Sequence, residues 1–503
     1  MVKFTPDLKT FLELAKTKSV VSVKTDLCSD MLTPVSVYKK LVAHDEGFLL
    51  ESVDHRGSFS RFSIIGFDAA AKIILKNGQI ESLGNLDLSE FNDNDKILAF
   101  LDNLLANFKT ESDESDLPLS SGVVGYIGYD VIREVERLPM IPVDDQNLPE
   151  AALFLVGTLI VFDHHRQKIS VIKNVFSESD DKNDFAGQRY SNAIEELNSL
   201  IDLIQKPQAP ETDLEPDDEA DLEVSKTFTD SEFKLAVISA KEYILAGDAF
   251  QIVLSQRFDF QVECDPFEIY RILRQVNPSP YLYYLKFNEV TVVGASPEPL
   301  VKVVGKRVIS RPIAGTRPRG RTDLEDKKLA GELLEDPKEL SEHIMLVDLA
   351  RNDVGRIAEF NSISIDELMT VEKYSHVIHI TSQVSGRLKD NLTPIDVIRA
   401  TLPAGTLSGA PKVRAMEIID ELEKTKRGVY AGIIGYIGFD LKLDMAIAIR
   451  TLVIKPDMTA SVQAGAGIVI ESDPDAENME CMAKAGAILK AVKLANSINK
   501  SNS

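Results

Sequence analysis

The sequence predicts an α+β fold whose sheets are mainly antiparallel. Strand-like segments follow one another closely, as in residues 281–287 and 290–294, and leave no room for the crossover helix that a parallel pair needs. Helical segments are interspersed with these strands but do not alternate strictly with them. A doubly wound parallel sheet therefore fits the sequence less well.

The first 205 residues have the pattern of a sheet covered by helices. Alternation of apolar and polar residues predicts strands over 48–52 and 71–75, and the β-rich run 153–162 adds to them. Helical periodicity covers 95–108 and 191–204. Further along, the predicted strands are 249–258, 281–287, 290–294, 446–454 and 461–470, and the predicted helices are 230–246, 266–275, 323–336 and 476–496.

An acidic segment over 206–224 separates the two regions. It contains three prolines and eight acidic residues without apolar periodicity, so it cannot bury enough surface to offset the entropy lost on ordering. We predict a linker there, flanked by domains over 1–205 and 225–496, because 503 residues allow more than one core.

Two segments match each other across this linker. SGVVGYIGYD ends at Asp130 and AGIIGYIGFD ends at Asp440. The match indicates that the two regions meet in space or share an origin. The glycines predict close approach of neighbouring backbones, and Tyr126 and Tyr436 are predicted core residues.

Charge and composition limit the possible partners. A net charge of −23 is unfavourable for binding nucleic acid or an anionic membrane, both of which need an extended basic surface. The longest apolar run, 151–162, is too short to span a bilayer, and the N-terminus has no secretory pattern. Cys28, Cys264 and Cys481 form neither a disulfide framework nor a zinc cluster. We expect a cytoplasmic protein.

Two pairs of glutamates occur at helical spacing, Glu339 with Glu342 and Glu477 with Glu480. Residues three apart project from one face of a helix. Four converging carboxylates would repel one another unless a cation lay among them, and ligation by oxygen alone suits Mg²⁺. The alternative is that both pairs lie on ordinary solvated helix faces.

Glycine-rich segments with basic residues predict an anion site. Gly315 lies among four arginines in SRPIAGTRPRGRT, and LPAGTLSGAPK ends at Lys412. Gly465 and Gly467 end a strand, and Arg450 comes from a strand whose other side is apolar, so its guanidinium is predicted to point into a pocket. Each could instead be a turn with surface charge. Together with the glutamates they predict a carboxylate-binding site with a metal.

Ordered motifs extend over nearly the whole chain: LLES (49–52), NPSPYLYYL (277–285), GASPE (294–298), PIAGT (312–316), SEHIMLVDLARND (341–353), HVIH (376–379) and AGAGIV (464–469). They resemble the large subunit of anthranilate synthase, the component I family of chorismate-utilising enzymes. The resemblance implies two orthogonally packed, mainly antiparallel sheets flanked by helices. It also implies a Mg²⁺-dependent lyase of tryptophan biosynthesis that tryptophan inhibits.

The same resemblance implies a role for each matched residue. Glu298 would be the general acid that protonates the departing ring hydroxyl, and His379, with Thr316 as a further catalytic residue, would take part in pyruvate elimination. Without the motif, His379 would be interpreted as a satisfied core imidazole. The implied metal ligands are Glu342 and Glu480, with Glu339 and Glu477 as the second members of the pairs, binding either directly or through water. The implied chorismate contacts are Gln251, Gly315, Thr316, Tyr430, Arg450, Gly465, Ala466, Gly467 and Lys484.

Two positions distinguish the nucleophile among related enzymes. Isochorismate and salicylate synthases carry a lysine where this chain has Gln251, and a glutamine cannot act as a base. Aminodeoxychorismate synthases carry a nucleophilic lysine where this chain has Ala314. Ammonia is therefore the expected nucleophile. None of the three cysteines lies in a Gly-x-Cys-x-Gly elbow, so a separate glutamine amidotransferase subunit, component II, is the expected source of ammonia.

A regulatory site is also implied by the resemblance. Ser52, Pro280, Tyr281 and Leu282 match the family's tryptophan-binding positions, and they come from both sides of the acidic segment. The alternative is a buried strand followed by a proline-rich turn. Two further readings of the whole chain stay open: an aminodeoxychorismate synthase component I, and a non-catalytic sensor of amino acids.

Overall fold

The computed structural model describes residues 3–52, 61–92, 94–111, 116–177, 183–207, 221–373 and 377–501. Its strands are β1 (Val20–Cys28), β2 (Gly47–Glu51), β3 (Phe62–Phe67), β4 (Ala71–Lys76), β5 (Gln79–Gly84), β6 (Gly122–Ile127), β7 (Ala151–Leu155), β8 (Thr158–Asp163), β9 (Lys168–Phe176), β10 (Ser225–Lys226), β11 (Gln251–Gln261), β12 (Tyr281–Lys286), β13 (Thr291–Ser296), β14 (Pro299–Val304), β15 (Arg307–Ser310), β16 (Ile313–Pro318), β17 (Ser364–Lys373), β18 (Val377–Arg387), β19 (Gly409–Ala410), β20 (Ile433–Gly438), β21 (Leu443–Ile447), β22 (Thr451–Ile454) and β23 (Thr459–Ile468).

Helices flank these strands. They are α1 (Leu8–Leu14), α2 (Pro34–Leu41), α3 (Ile97–Asn107), α4 (Asn183–Gln205), α5 (Asp230–Leu245), α6 (Pro266–Val276), α7 (Asp323–Glu335), α8 (Pro337–Ile357), α9 (Pro394–Thr401), α10 (Gly405–Ser408), α11 (Lys412–Leu422) and α12 (Pro474–Ser501). None of the helices in the described ranges is long and apolar enough to cross a membrane.

The strands form two large sheets. Sheet 1 has the order β1-β9-β8-β3-β2-β12-β13-β22-β23-β11-β10, and β19 also pairs with β11. Sheet 2 has the order β16-β18-β15-β14-β21-β20-β6-β7-β4-β5, and β17 also pairs with β18. Neighbouring strands are antiparallel, as in the pairs β2/β12 and β6/β20. The predicted α+β class, with two antiparallel sheets and flanking helices, is confirmed.

The two regions that flank the acidic segment meet within both sheets. Strand β2 pairs with β12 in sheet 1, and β6 pairs with β20 in sheet 2, so that Gly125 lies opposite Gly435. A Cβ atom at Gly125 would lie 2.0 Å from the Ala152 carbonyl oxygen, and one at Gly435 would lie 2.0 Å from the Asp444 carbonyl oxygen. The matching segments are therefore paired strands whose glycines admit a neighbouring backbone, as predicted.

The apolar core lies in three layers. Side chains such as Phe48 and Tyr283 of sheet 1 pack against Val124 and Phe154 of sheet 2. Helices α6 and α12 cover the other face of sheet 1, and α3, α8 and α9 cover the other face of sheet 2. Tyr126 is buried in the central layer, and Tyr436 lies there too, which confirms the core role predicted for both.

Two predicted strands are in fact broken. The run 153–162 divides at residues 156–157 into β7 and β8, and the run 446–454 divides at residues 448–450 into β21 and β22; each break moves the chain from sheet 2 to sheet 1. Both faces of these strands are buried, so their apolar runs continue through the change of sheet and hide it. Gly157 marks one break, because a Cβ there would lie 1.9 Å from the Asp68 carbonyl oxygen.

A capping residue determines where helix α8, which flanks the site, begins. Asp336 accepts hydrogen bonds from the backbone N–H groups of Lys338 and Glu339, and Pro337 occupies the first turn of α8. This start separates α8 from α7 and fixes the face on which Glu339 and Glu342 project. Most of the predicted linker, residues 208–220, lies outside the described ranges, and at its end Leu222 and Val224 pack against the core beside sheet 1.

Candidate active site

Glu298 lies in the short connection between β13 and β14. The Ile447 N–H donates to the Glu298 carbonyl oxygen at 3.0 Å, which fixes the backbone. The Thr406 hydroxyl donates to Glu298 Oε1 at 2.9 Å. Burial raises the pKa of Glu298 to about 7, against the opposing effects of the Thr406 hydrogen bond and the Lys484 charge. The carboxyl group is therefore partly protonated near neutral pH, as a general acid requires.

A glycine-lined cradle is formed where β23 pairs with β11. Gly467 lies opposite Val253, and Gly465 lies opposite Ser255. A Cβ at Gly465 would lie 2.7 Å from Tyr430 Oη, and one at Gly467 would lie 2.4 Å from Gln251 Nε2. Larger residues would displace these polar groups, so the glycines keep the cradle open; the buried Ala466 lies between them.

Lys484 connects the cradle to the acidic helices. From α12, its Nζ donates to the Gly465 carbonyl oxygen at 2.9 Å and forms a salt bridge with Glu480 at 2.7 Å. Its charge also lowers the pKa of Glu298 and of Glu342. The predicted chorismate contacts on β11, β23 and α12 therefore lie next to one another.

His379 and Gly315 lie on a second side of the site. Strand β16 has a bulge between Ala314 and Thr316, and the Thr316 backbone pairs with His379 of β18. Gly315, at φ +66°, accepts a hydrogen bond from His379 Nδ1 at 2.9 Å. Burial is the main cause that lowers the pKa of His379, and the Arg450 charge adds to it. The imidazole is therefore neutral near pH 7.

Arg450 is a partly buried cation. It lies in the break between β21 and β22 at φ 50°, and its carbonyl oxygen accepts from the Ala295 N–H at 3.1 Å. The prediction that it lies within a strand was wrong, because the chain turns between the sheets here. Burial lowers its pKa, and within the described ranges no carboxylate pairs with the guanidinium. A partly buried cation without an anion is a binding group for an anionic ligand.

The four predicted metal ligands lie on two helices. Burial raises the pKa of Glu342, and the charge of Glu339 raises it further; burial likewise raises the pKa of Glu477, with Glu480 adding to it. The Lys338 charge opposes this rise in pKa at both Glu342 on α8 and Glu477 on α12, so the two helices lie close to each other.

Cations already contact two of these glutamates. Arg317 lies 3.2 Å from Glu339, and Lys484 lies 2.7 Å from Glu480. Across the part of the chain that the structure describes, no three His, Cys, Asp or Glu side chains are grouped as metal ligands would be. The predicted carboxylates thus border the site in two pairs.

The predicted tryptophan contacts are brought together by the pairing of β2 with β12. Glu51 lies opposite Leu282, so Ser52 follows at the end of β2 beside the Pro280 and Tyr281 end of β12. Leu282 is buried, and Tyr281 Oη donates to Asp444 Oδ1 at 2.9 Å. The four residues therefore lie at a junction between the two sequence regions. His376, the first residue of the HVIH motif, lies outside the described ranges.

Two residues of the segment LPAGTLSGAPK have contacts that the sequence did not predict. Lys412, at the end of the segment whose backbone N–H groups were predicted to reach an anion, forms a salt bridge with Asp353 at 2.8 Å. Thr406, from the same glycine-rich segment, was not predicted to have a role and contacts Glu298. In the sequence, only the second Ala-Gly-Thr of the chain draws attention to Thr406. Its contact with Glu298 joins residues 108 positions apart.

The comparison with known families identifies the class. A family model described as chorismate binding enzyme matches residues 46–490. The chain therefore belongs to the chorismate-binding enzymes.

Individual relatives narrow this class. The chain is 42% identical over 500 residues to anthranilate synthase component 1 of Acetivibrio thermocellus, which covers 98% of this chain and 100% of the relative. It is 39% identical over 534 residues to the chloroplastic anthranilate synthase alpha subunit 1 of Arabidopsis thaliana, with 98% and 88% covered. The crystal structure of anthranilate synthase component I from Streptococcus pneumoniae TIGR4 is 38% identical, with a TM-score of 0.75 and 92% and 99% covered. The predicted resemblance to component I is confirmed.

Proposed function

We propose that this chain is the large subunit of an anthranilate synthase, which converts chorismate and ammonia into anthranilate, pyruvate and water. The full-length similarity to component 1 proteins supports the reaction. The observation on which substrate binding depends is the partly buried Arg450 guanidinium, which no carboxylate in the described ranges neutralises. Chorismate is a dicarboxylate, so its binding would supply the missing charge.

Two sides of the site would hold the two carboxylates of chorismate. Arg450 and the backbone N–H groups of the cradle at Gly465–Gly467 would neutralise the enolpyruvyl carboxylate. Tyr430 and Gln251 border that cradle, and Thr316 follows Gly315 in β16, on the side of the site that carries His379. Lys484 would hold the cradle against α12 through the Gly465 carbonyl oxygen.

The glutamate pairs fit Mg²⁺ by their chemistry. Their oxygens are the ligands that this ion prefers. Burial raises the pKa of Glu342 and of Glu477, and the charge of a neighbouring glutamate adds to this effect; a divalent cation would relieve both. Glu342 and Glu480 would hold the ion, with Glu339 and Glu477 acting through water. When bound, Mg²⁺ would neutralise the ring carboxylate of chorismate.

Glu298 would act as the general acid. Ammonia forms a C–N bond at the ring carbon next to the carboxylate-bearing carbon while the ring hydroxyl departs, and Glu298 protonates that hydroxyl so that it leaves as water. Gly315 fixes His379 with Nδ1 as donor, which makes Nε2 the nitrogen that can accept a proton. His379 would then remove a ring proton as the bond to the enolpyruvyl oxygen breaks, pyruvate leaves and the ring becomes aromatic.

Ammonia is the proposed nucleophile because neither diagnostic lysine is present. Gln251 and Ala314 occupy the two positions. Introducing a lysine by Gln251→Lys or Ala314→Lys is expected to reduce anthranilate formation in favour of a hydroxylated product or a lysine adduct, measured by mass. Unchanged anthranilate output from both variants would contradict the assignment.

A glutamine amidotransferase subunit is the proposed source of ammonia. The chain offers no glutaminase elbow around its cysteines, two of which are buried. The purified chain is expected to use ammonium salts but not glutamine. Glutamine-dependent turnover by the chain alone would refute the need for a partner.

Feedback inhibition by tryptophan is the proposed role of the β2/β12 junction. A ligand held by Ser52, Pro280, Tyr281 and Leu282 would contact strands from both sequence regions. It would therefore favour one relative arrangement of the strands that carry the catalytic residues.

One assay tests the central proposal. The pure chain is incubated with chorismate, Mg²⁺ and ammonium, and the products are identified by fluorescence and mass. Anthranilate with equimolar pyruvate is expected. An amino-substituted chorismate without pyruvate would identify an aminodeoxychorismate synthase, and tryptophan binding without any turnover would identify a sensor.

A further inference from the structure

Thr406 makes a side-chain contact with the acid Glu298. It lies on α10, a single turn, and its Oγ1 donates to Glu298 Oε1 at 2.9 Å. We propose that Thr406 is a positioning residue for the acid: its hydroxyl makes Oε1 the accepting oxygen, so that the transferable proton is carried by Oε2. This inference rests on the proposed role of Glu298.

The geometry of a carboxyl group supports this step. A protonated carboxyl has one O–H donor and one carbonyl oxygen. A hydroxyl that donates to Oε1 stabilises the form in which Oε1 is the carbonyl oxygen. Without it, the proton can be carried by either oxygen, and only one of these forms faces the departing hydroxyl.

A buried arginine holds the turn that carries Thr406. Arg427 donates to the Leu407 carbonyl oxygen at 2.6 Å and to the Val253 carbonyl oxygen at 2.8 Å. It also pairs with Glu423 at 2.6 Å. The residue next to Thr406 is therefore tied to β11, the strand that carries Gln251. Such support is typical of side chains held for a precise contact.

Burial and the charges around Glu298 determine the direction in which its pKa changes when the Thr406 hydroxyl is removed. Burial raises the pKa of Glu298, whereas the Thr406 hydrogen bond and the Lys484 charge lower it. Arg311 and Asp353 are the other charged groups that line the cavity of about 40 Å³ beside Glu298. Loss of the hydroxyl therefore raises the pKa of the acid. The alkaline limb of the activity profile moves to higher pH while the rate falls, a combination that general loosening of the fold would not produce.

The test compares Thr406→Ser with Thr406→Ala. Both remove the methyl group, and only the alanine variant removes the hydroxyl. Thr401→Ala is the matched control, because Thr401 lines the same cavity but its hydroxyl donates to the Val397 carbonyl oxygen at 2.8 Å. Anthranilate formation is measured against pH with saturating chorismate and Mg²⁺, the rate is expressed per free ammonia, and folding is checked by thermal melting.

The alanine variant at 406 is expected to lose about 10-fold or more in kcat, since a positioned general acid contributes about 10²–10⁴-fold. Its alkaline limb should lie at higher pH than in the unmodified chain, and Thr406→Ser should restore both. The inference is overturned if Thr406→Ala follows the original profile, if Ser and Ala behave alike, or if Thr401→Ala shows the same shift. An unmodified chain that makes no anthranilate would instead overturn the proposed function.

Discussion

Replacing Arg450 by methionine is expected to stabilise the fold and destroy activity together. The guanidinium is partly buried, and no carboxylate in the described ranges pairs with it. Methionine keeps most of the apolar stem and removes the charge. Because burying a polar group that water still partly compensates costs about 0.5–2 kcal/mol, the free energy of unfolding should rise by no more than that amount in the absence of ligand.

The loss of activity can be estimated in the same way. Removing one partner from a buried charge pair formed with a ligand costs about 2–5 kcal/mol, which corresponds to roughly 30- to 5000-fold in kcat/KM for chorismate. Chorismate should also cease to raise the melting temperature of the variant. Urea denaturation gives the first quantity, and initial rates with ammonium give the second.

Arg427→Met is the matched control. Arg427 is a fully buried arginine that pairs with Glu423 and donates to two carbonyl oxygens. Its removal leaves the buried Glu423 carboxylate without a counter-charge, although Ser255 still donates two hydrogen bonds to it, so a loss of about 3–5 kcal/mol in stability is expected. The same substitution should therefore change stability in opposite directions at the two positions. A destabilisation of Arg450→Met as large as that of Arg427→Met would show that Arg450 is structural.

Three further changes have defined outcomes. Gly467→Ala should abolish chorismate turnover without unfolding the chain, because the alanine Cβ would displace the flexible Gln251 amide. The control is Gly486→Ala in α12, where an added Cβ meets no atom within 4 Å. This control should add about 0.5–1 kcal/mol of stability in melting experiments. Since burial raises the pKa of Glu298 from 4.5 to about 7, the unfolded chain ionises first, and stability should fall by about 3 kcal/mol as pH rises from 4.5 to 7. Glu298→Gln should remove this pH-dependent fall in stability and abolish activity. If the pH dependence of urea denaturation is the same in the variant, the raised pKa of Glu298 is contradicted. Ser52→Arg should leave turnover intact and weaken inhibition in a tryptophan titration; retained inhibition would remove the regulatory assignment.

Helix positions were predictable where capping residues and periodicity agree. The helix predicted over 230–246 is observed as Asp230–Leu245, and its first turn is fixed by a capping box between Thr229 and Glu232. The helix predicted over 266–275 is observed as Pro266–Val276, with Asp265 as its cap. Both signals are local, so neither depends on the rest of the fold.

Strand continuity was not predictable in the same way. The runs 153–162 and 446–454 look continuous because both of their faces are buried, yet each crosses from one sheet to the other. A break inside an apolar run is determined by what packs above and below it, which lies far away in sequence. The change of sheet at residues 448–450 also gives Arg450 its position, so the error in the strand and the error in the arginine's setting have one cause.

The residues of the site also differ in whether the sequence alone could reveal them. Residues whose chemistry is unusual for their position, such as the glutamate pairs and Gly465 with Gly467, were detectable because type and spacing alone raise the question of function. Thr406 was not, because a threonine in a turn is ordinary until Glu298, 108 residues away, is placed against it. Support for the proposed acid comes from residues that are individually ordinary and act through a contact distant in sequence. Such residues are best sought by following the hydrogen bonds of the acid outward, which lead here from Glu298 to Thr406 and then, through the carbonyl oxygen of the neighbouring Leu407, to Arg427.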